Sequence, residues 1–282
     1  MHFDWHFTAI QVLWTLTFAA QLVLIVVLLG RDRARSFPWF TASIVAMAFR
    51  LLCGRLLYQR LPQLSLTTVL IILADLVAIL GILVIVELSR KAFAGANRSL
   101  LLINLAGLLL VTGAIMWMWG PWPSWKTLTA DSQVATLRIL QLIAQKTEFL
   151  VDLLNIELGL MLVLFGRKFN APWKSHTQRI AIGLSTASIS GLVVQTVWEF
   201  VAKSAAPHSQ EELSKVLDLR DRLFNSSGAL YVAVLVWWIV VLWINEPGSI
   251  AATPPSGPPS DHDVPAEAEA SAEPTSDEPA TS

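Results

Sequence analysis

The chain has 282 residues, 54% of them hydrophobic and only 15% charged, with a formal net charge of −1 and a mean hydropathy of +0.57. A soluble globular domain carries about 25% charged residues, so composition excludes a wholly water-soluble fold, and the missing basic excess excludes a nucleic-acid partner. The single cysteine, Cys53, excludes an intramolecular disulfide and a multi-cysteine metal site.

The chain opens on MHFDWHF. It lacks the basic segment that begins a secretory signal peptide, so the first span is expected to stay as an anchor. His2, Asp4 and His6 alternate there as external metal ligands would. Without a second fixed element the ordering entropy is high, and the segment is read instead as an interfacial end anchored by Phe3, Trp5 and Phe7.

A bilayer-spanning helix needs about 20 predominantly apolar residues. Segments near 7–30, 37–58, 66–89, 99–119, 138–166, 179–202 and 224–245 meet that length. The expected fold is therefore all-α, an integral membrane bundle of seven transmembrane helices over residues 1–245, in the lipid bilayer of the cell membrane. Sidedness follows from the loops. Arg31, Arg33 and Arg35, then Arg90, Lys91 and Arg98, then Arg167, Lys168, Lys174 and Arg179 follow the odd-numbered spans, with Asp32 the only acid among them. Cytoplasmic loops carry such an excess of Lys and Arg, which predicts the N-terminus outside and the C-terminus cytoplasmic.

Between the fourth and fifth spans, GPWPSWKTLTADSQ is broken by Pro121 and Pro123, with Trp117 and Trp119 just before it and Trp122 and Trp125 within it. Trp gathers at the membrane–water interface, so the cluster reads as an aromatic belt, with an aromatic ligand cage as the other reading. Ser209-Gln-Glu-Glu212 has the spacing of a capping box, and LSKVLDLRDRLF behind it carries apolar residues at helical intervals. That predicts an amphipathic outer helix leading into the seventh span. Residues 246–282 hold eight prolines, eight acids and no Lys or Arg. They cannot bury enough apolar surface to order themselves, and are expected to form a disordered cytoplasmic tail.

The fifth span carries the most informative pattern. Arg138, Gln141, Gln145, Glu148, Asp152 and Asn155 are spaced 3, 4, 3, 4 and 3, and Gly159 continues with 4. At 3.6 residues per turn they share one helix face. Asp152 and Asn155 fall at membrane depth, where a polar face must meet other helices or a water-filled cavity. Arg50 lies eight residues from Tyr58 and Asp75 nine from Leu66, so both lie at nearly one level, about 12 Å from the outer surface for Arg50 at 1.5 Å per residue. Arg50 with Asp75, and Asp152 beside them, is the expected intramembrane ionic cluster. Gln195 and Glu199 of the sixth span are candidates to join it, with Arg55 and Gln145 as secondary members near the outer surface. Glu157 points about 180° away from Glu148, toward another helix, a bound proton or a second subunit.

What is missing narrows the chemistry. None of His2, His6, His176, His208 and His262 falls inside a span, which argues against haem or zinc held by intramembrane histidines. Seven helices with the N-terminus outside resemble a rhodopsin, but the seventh span has no lysine for a retinal Schiff base, and the likeness stops at the helix count. There is no GxSxG, HExxH or phosphate-binding glycine loop, so neither an enzyme nor a cofactor is expected. The reading that follows is a receptor-like or sensory module with a polar pocket in the outer half of the bundle, taking a small-molecule ligand and acting through a partner protein. A solute or proton-coupled transporter using the same charges is the alternative, and a membrane scaffold is another.

Overall fold

The computed structural model describes residues 8–58, 60–93, 98–118, 133–165, 175–204 and 209–244. The His2, Asp4 and His6 set, Trp119, Trp122 and Trp125, the basic residues Arg167, Lys168 and Lys174, and the tail 246–282 lie outside the described residues. Eight helices and no strand occur among those described: α1 (Ala9–Gly30), α2 (Arg33–Ser36), α3 (Pro38–Leu57), α4 (Gln63–Ala92), α5 (Arg98–Met118), α6 (Gln133–Phe165), α7 (His176–Ser204) and α8 (Gln210–Trp243).

Local chemistry sets the ends. Thr8 and Gln11 form a capping box at the start of α1, the Gln11 amide donating to Thr8 Oγ1 at 3.4 Å and the Thr8 amide to Gln11 Oε1 at 3.3 Å. After α1 the chain turns on Asp32, whose φ of 54° is left-handed, a region that Asp tolerates better than most side chains. Pro38 then opens α3 at its first turn, where a missing N–H costs nothing. Ser209 caps α8 as its spacing predicts, with Oγ accepting from the Glu212 amide at 3.2 Å. The outer amphipathic helix and the seventh apolar segment form this one continuous helix of 34 residues.

α1, α3, α4, α6, α7 and α8 form a closed ring in which each helix packs on the next and α8 returns to α1, while α5 packs on α6 from outside it. The close approaches fix the sense of each helix. Gly54 faces Leu70, Gly81 faces Val151, Gly159 faces Ser185, Gly183 faces Trp238 and Gly228 faces Leu13. The bundle thus has a Tyr58 end, where α3 and α7 finish and α1, α4, α6 and α8 begin, and a Phe37 end.

Among the described residues five helices are long and apolar enough to cross a membrane: α1, α3, α4, α7 and α8. They make this a multi-pass membrane protein. Two of the seven expected spans do not join the set. α5 is a helix of 21 residues, of which Leu109–Met118 is the apolar stretch among the described side chains. α6 is long enough at 33 residues but carries Lys146, Glu148, Asp152 and Glu157 along it.

The Phe37 end holds the core. Leu24, Leu28, Leu88, Leu162, Leu235 and Leu242 are fully buried. Phe40 meets the Trp238 ring edge-on with centroids 5.2 Å apart, an arrangement that aromatic pairs favour. Trp238 reaches the middle because α7 has no side chain at Gly183, where a Cβ would fall 2.7 Å from indole Cε2. Glu87 of α4 is buried here and accepts from the Phe40 amide at 3.1 Å. It supplies from another helix the cap that α3 lacks at its own N-terminus, satisfying one of the orphan amides of the first turn. Lys91, 3.8 Å from Glu87 and 3.9 Å from the centre of the Phe37 ring, completes the arrangement.

A cavity between the Tyr58 end and the aromatic floor

Above this core the ring is hollow. An outer chamber of about 670 Å³ opens at Arg55 and Tyr58, and an inner one of about 180 Å³ lies beneath it. Met47, Arg50, Val77, Glu148 and Tyr231 line both, so the two adjoin. Trp14 and Gln21 add to the outer wall, while Asp152, Asn155 and Ser188 line the inner chamber and Phe40 and Trp238 floor it.

The polar face of α6 divides by depth into three functions. Arg138, Gln141 and Gln145 are exposed at the Tyr58 end and line neither chamber. Glu148 stands where the chambers meet, and the Asp152 carboxylate faces α7, with Oδ2 at 4.0 Å from where a Gly191 Cβ would stand. Asn155 is buried, its Nδ2 donating to Ser188 Oγ at 3.2 Å while its carbonyl accepts from Ser185 Oγ. Gly159, one turn on, lets Ser185 pass, since a Cβ there would lie 2.7 Å from that of Ser185. So the lower stripe joins two helices and its middle lines a cavity.

Arg50 faces this cavity as the depth argument requires, but not as a partner of Asp75. Among the described residues no ion pair joins Arg50 to Asp75 or to Asp152. α4 turns Ala74, Val77, Ala78 and Gly81 to the inner chamber. Asp75 is one residue, about 100°, off that face, half-buried with Oδ1 unpartnered. Arg55 lines the outer chamber. Gln195 and Glu199 do not reach either chamber; Gln195 Nε2 instead donates to Glu199 Oε1 at 3.5 Å along α7. Glu157 meets another helix, accepting a hydrogen bond from Thr112 of α5, which is the first of its three expected explanations.

Sequence reasoning missed Gln21 and Tyr231. Gln21 is 1% exposed, donates from Nε2 to Tyr231 Oη at 3.4 Å, and leaves Oε1 without a partner. Tyr231 Oη in turn donates to Met47 Sδ at 3.3 Å. Both were detectable: Gln21 is the one amide deep in the first span, and Tyr231 is one of two tyrosines in the chain. Among the described residues no group of three or more His, Cys, Asp or Glu is placed to hold a metal ion. No protein-family model, curated protein or solved structure matches the chain.

Proposed function

We propose that this is a seven-span receptor-like module of the cell membrane, its Tyr58 end outside and its C-terminus cytoplasmic, which takes a small ligand into the cavity and acts through a partner protein. The two further spans are α5 and α6. α5 exposes Leu109, Leu110, Val111, Ile115, Trp117 and Met118, a surface suited to lipid. α6 turns Glu148, Asp152 and Asn155 to the cavity and to α7, meets α5 through Glu157, and exposes Leu160, Val163 and Leu164, as an intramembrane polar helix must. The described basic residues Arg31, Arg33, Arg35, Arg90, Lys91, Arg98 and Arg179 all belong to the Phe37 end, which supports a cytoplasmic assignment for it.

One observation carries the sensory reading. The cavity opens at the Tyr58 end and stops on Phe40 and Trp238, with the apolar core beneath them. A carrier needs access from both sides, whereas a sensor needs a pocket on one. The test uses the single cysteine. In a Cys53→Ser background, Leu51→Cys in the outer chamber should react with a membrane-impermeant maleimide added outside intact cells. Leu162→Cys in the core should react from neither side. Reaction of Ala187→Cys, in the inner chamber, from the cytoplasmic side would replace sensing by transport. Protection of Leu51→Cys from both sides would leave only the scaffold reading.

A further inference from the structure

The two chambers gather charges of both signs without letting them neutralise one another. Arg50 and Arg55 come from α3, Glu148 and Asp152 from α6, and all four line the cavity. Among the described residues none of the four belongs to an ion pair. Arg55 and Glu148 are exposed to the chambers, whereas Arg50 and Asp152 are half-buried, where an uncompensated charge is costly unless water, a hydrogen bond or a ligand answers it. An anion alone would leave Glu148 unpaired and Asp152 with only the Ser188 hydroxyl, and a cation alone would leave the arginines unpaired. An acyl chain would answer neither. The combined space lies within the range of pockets that take small molecules, about 300–1,000 Å³.

We propose that the cavity binds a small zwitterion of the amino-carboxylate class. Its carboxylate sits on Arg50 and Arg55, where guanidinium groups offer paired donors. Its ammonium lies between Glu148 and Asp152. The assignment rests on the outward-opening pocket described above and names what that pocket holds.

The full-length protein in lipid nanodiscs is titrated calorimetrically with glycine, 4-aminobutyrate and 6-aminohexanoate, which span a range of charge separations. Butyrate, hexanoate, butylamine and hexylamine serve as matched single-charge probes. At least one amino carboxylate should bind about ten-fold tighter or more than its matched acid and amine. Arg50→Gln should reduce that ligand to the level of the amine, and Glu148→Gln to the level of the acid, with melting temperature and helical circular dichroism verifying the fold of each variant. A wild-type protein that binds the acid as tightly as the amino acid holds an anion site, and the proposal fails. Equal binding of the amine, or no binding by any probe, overturns it too. The maleimide pattern separates the two levels: outside labelling of Leu51→Cys with no zwitterion preference sinks the ligand class alone, whereas a protected Leu51→Cys sinks the pocket itself.

Discussion

At the Phe37 end a buried carboxylate is answered twice, Glu87 taking the Phe40 amide at 3.1 Å and Lys91 at 3.8 Å. At the Tyr58 end Arg50 faces a cavity with no ion-pair partner among the described residues, and a buried Gln21 oxygen goes unbonded. The same six helices build both halves, so the contrast is not one of fold. Where polar groups are satisfied and side chains interdigitate, the bundle gains stability and a unique arrangement. Where it leaves charges unanswered around a void, it forgoes stability, and that is where function is expected.

The contrast breaks first at its best-packed point. Trp238→Ala would empty the space between Phe40 and Gly183, and loss of a buried aromatic costs about 3–5 kcal/mol. Unfolding of the micellar protein by a denaturing detergent should register that loss; a change under about 1 kcal/mol would mean this end is not the stability core. Glu87→Ala comes next, leaving the Phe40 amide without its acceptor, and should cost about 1–3 kcal/mol. Glu87→Gln, which keeps an acceptor oxygen, should cost distinctly less in the same assay. Equal losses for the two would assign the effect to charge rather than to capping. The smallest effect sharpens the hollow half. Arg50→Leu and Asp75→Leu should add within about 0.5 kcal/mol, because residues without a shared contact act independently. A larger coupling in the double variant would restore the ion pair and remove an unanswered charge from the cavity.

Depth was readable in the sequence, and direction was not. Counting from Tyr58 and Leu66 placed Arg50 and Asp75 at one level, and the approach of Gly54 to Leu70 agrees, since the same register sets Arg50 opposite Ala74. One residue of helical phase separates Ala74 from Asp75, and nothing in the local sequence fixes that phase on a helix apolar all round. The stripe on α6 was legible because its spacing of 3 and 4 is a local property of one helix. The Ser209 cap was legible for the same reason. Glu87 was not, because its partner amide is 47 residues distant in the chain. Gln195 and Glu199 satisfied the depth argument and then turned to each other. Of the two expected spans outside the set of five, α6 is long enough but charged, and a count on one segment cannot see the neighbours that its polar face meets.

That hidden face bears on how the protein is made. A lone aspartate near the centre of an inserting helix costs about 2.5 to 3.5 kcal/mol at the translocon, and α6 carries Glu157 as well as Asp152. If α6 spans, it is a poor substrate for insertion by itself. The groups that receive it are distributed in time: Gly81 of α4 and Thr112 of α5 emerge from the ribosome before it, while Ser185 and Ser188 of α7 come after. In the proposed seven-span arrangement the Thr112–Glu157 contact would offer α6 its earliest polar companion during synthesis, and α5, peripheral in the ring, would escort its successor into the bilayer.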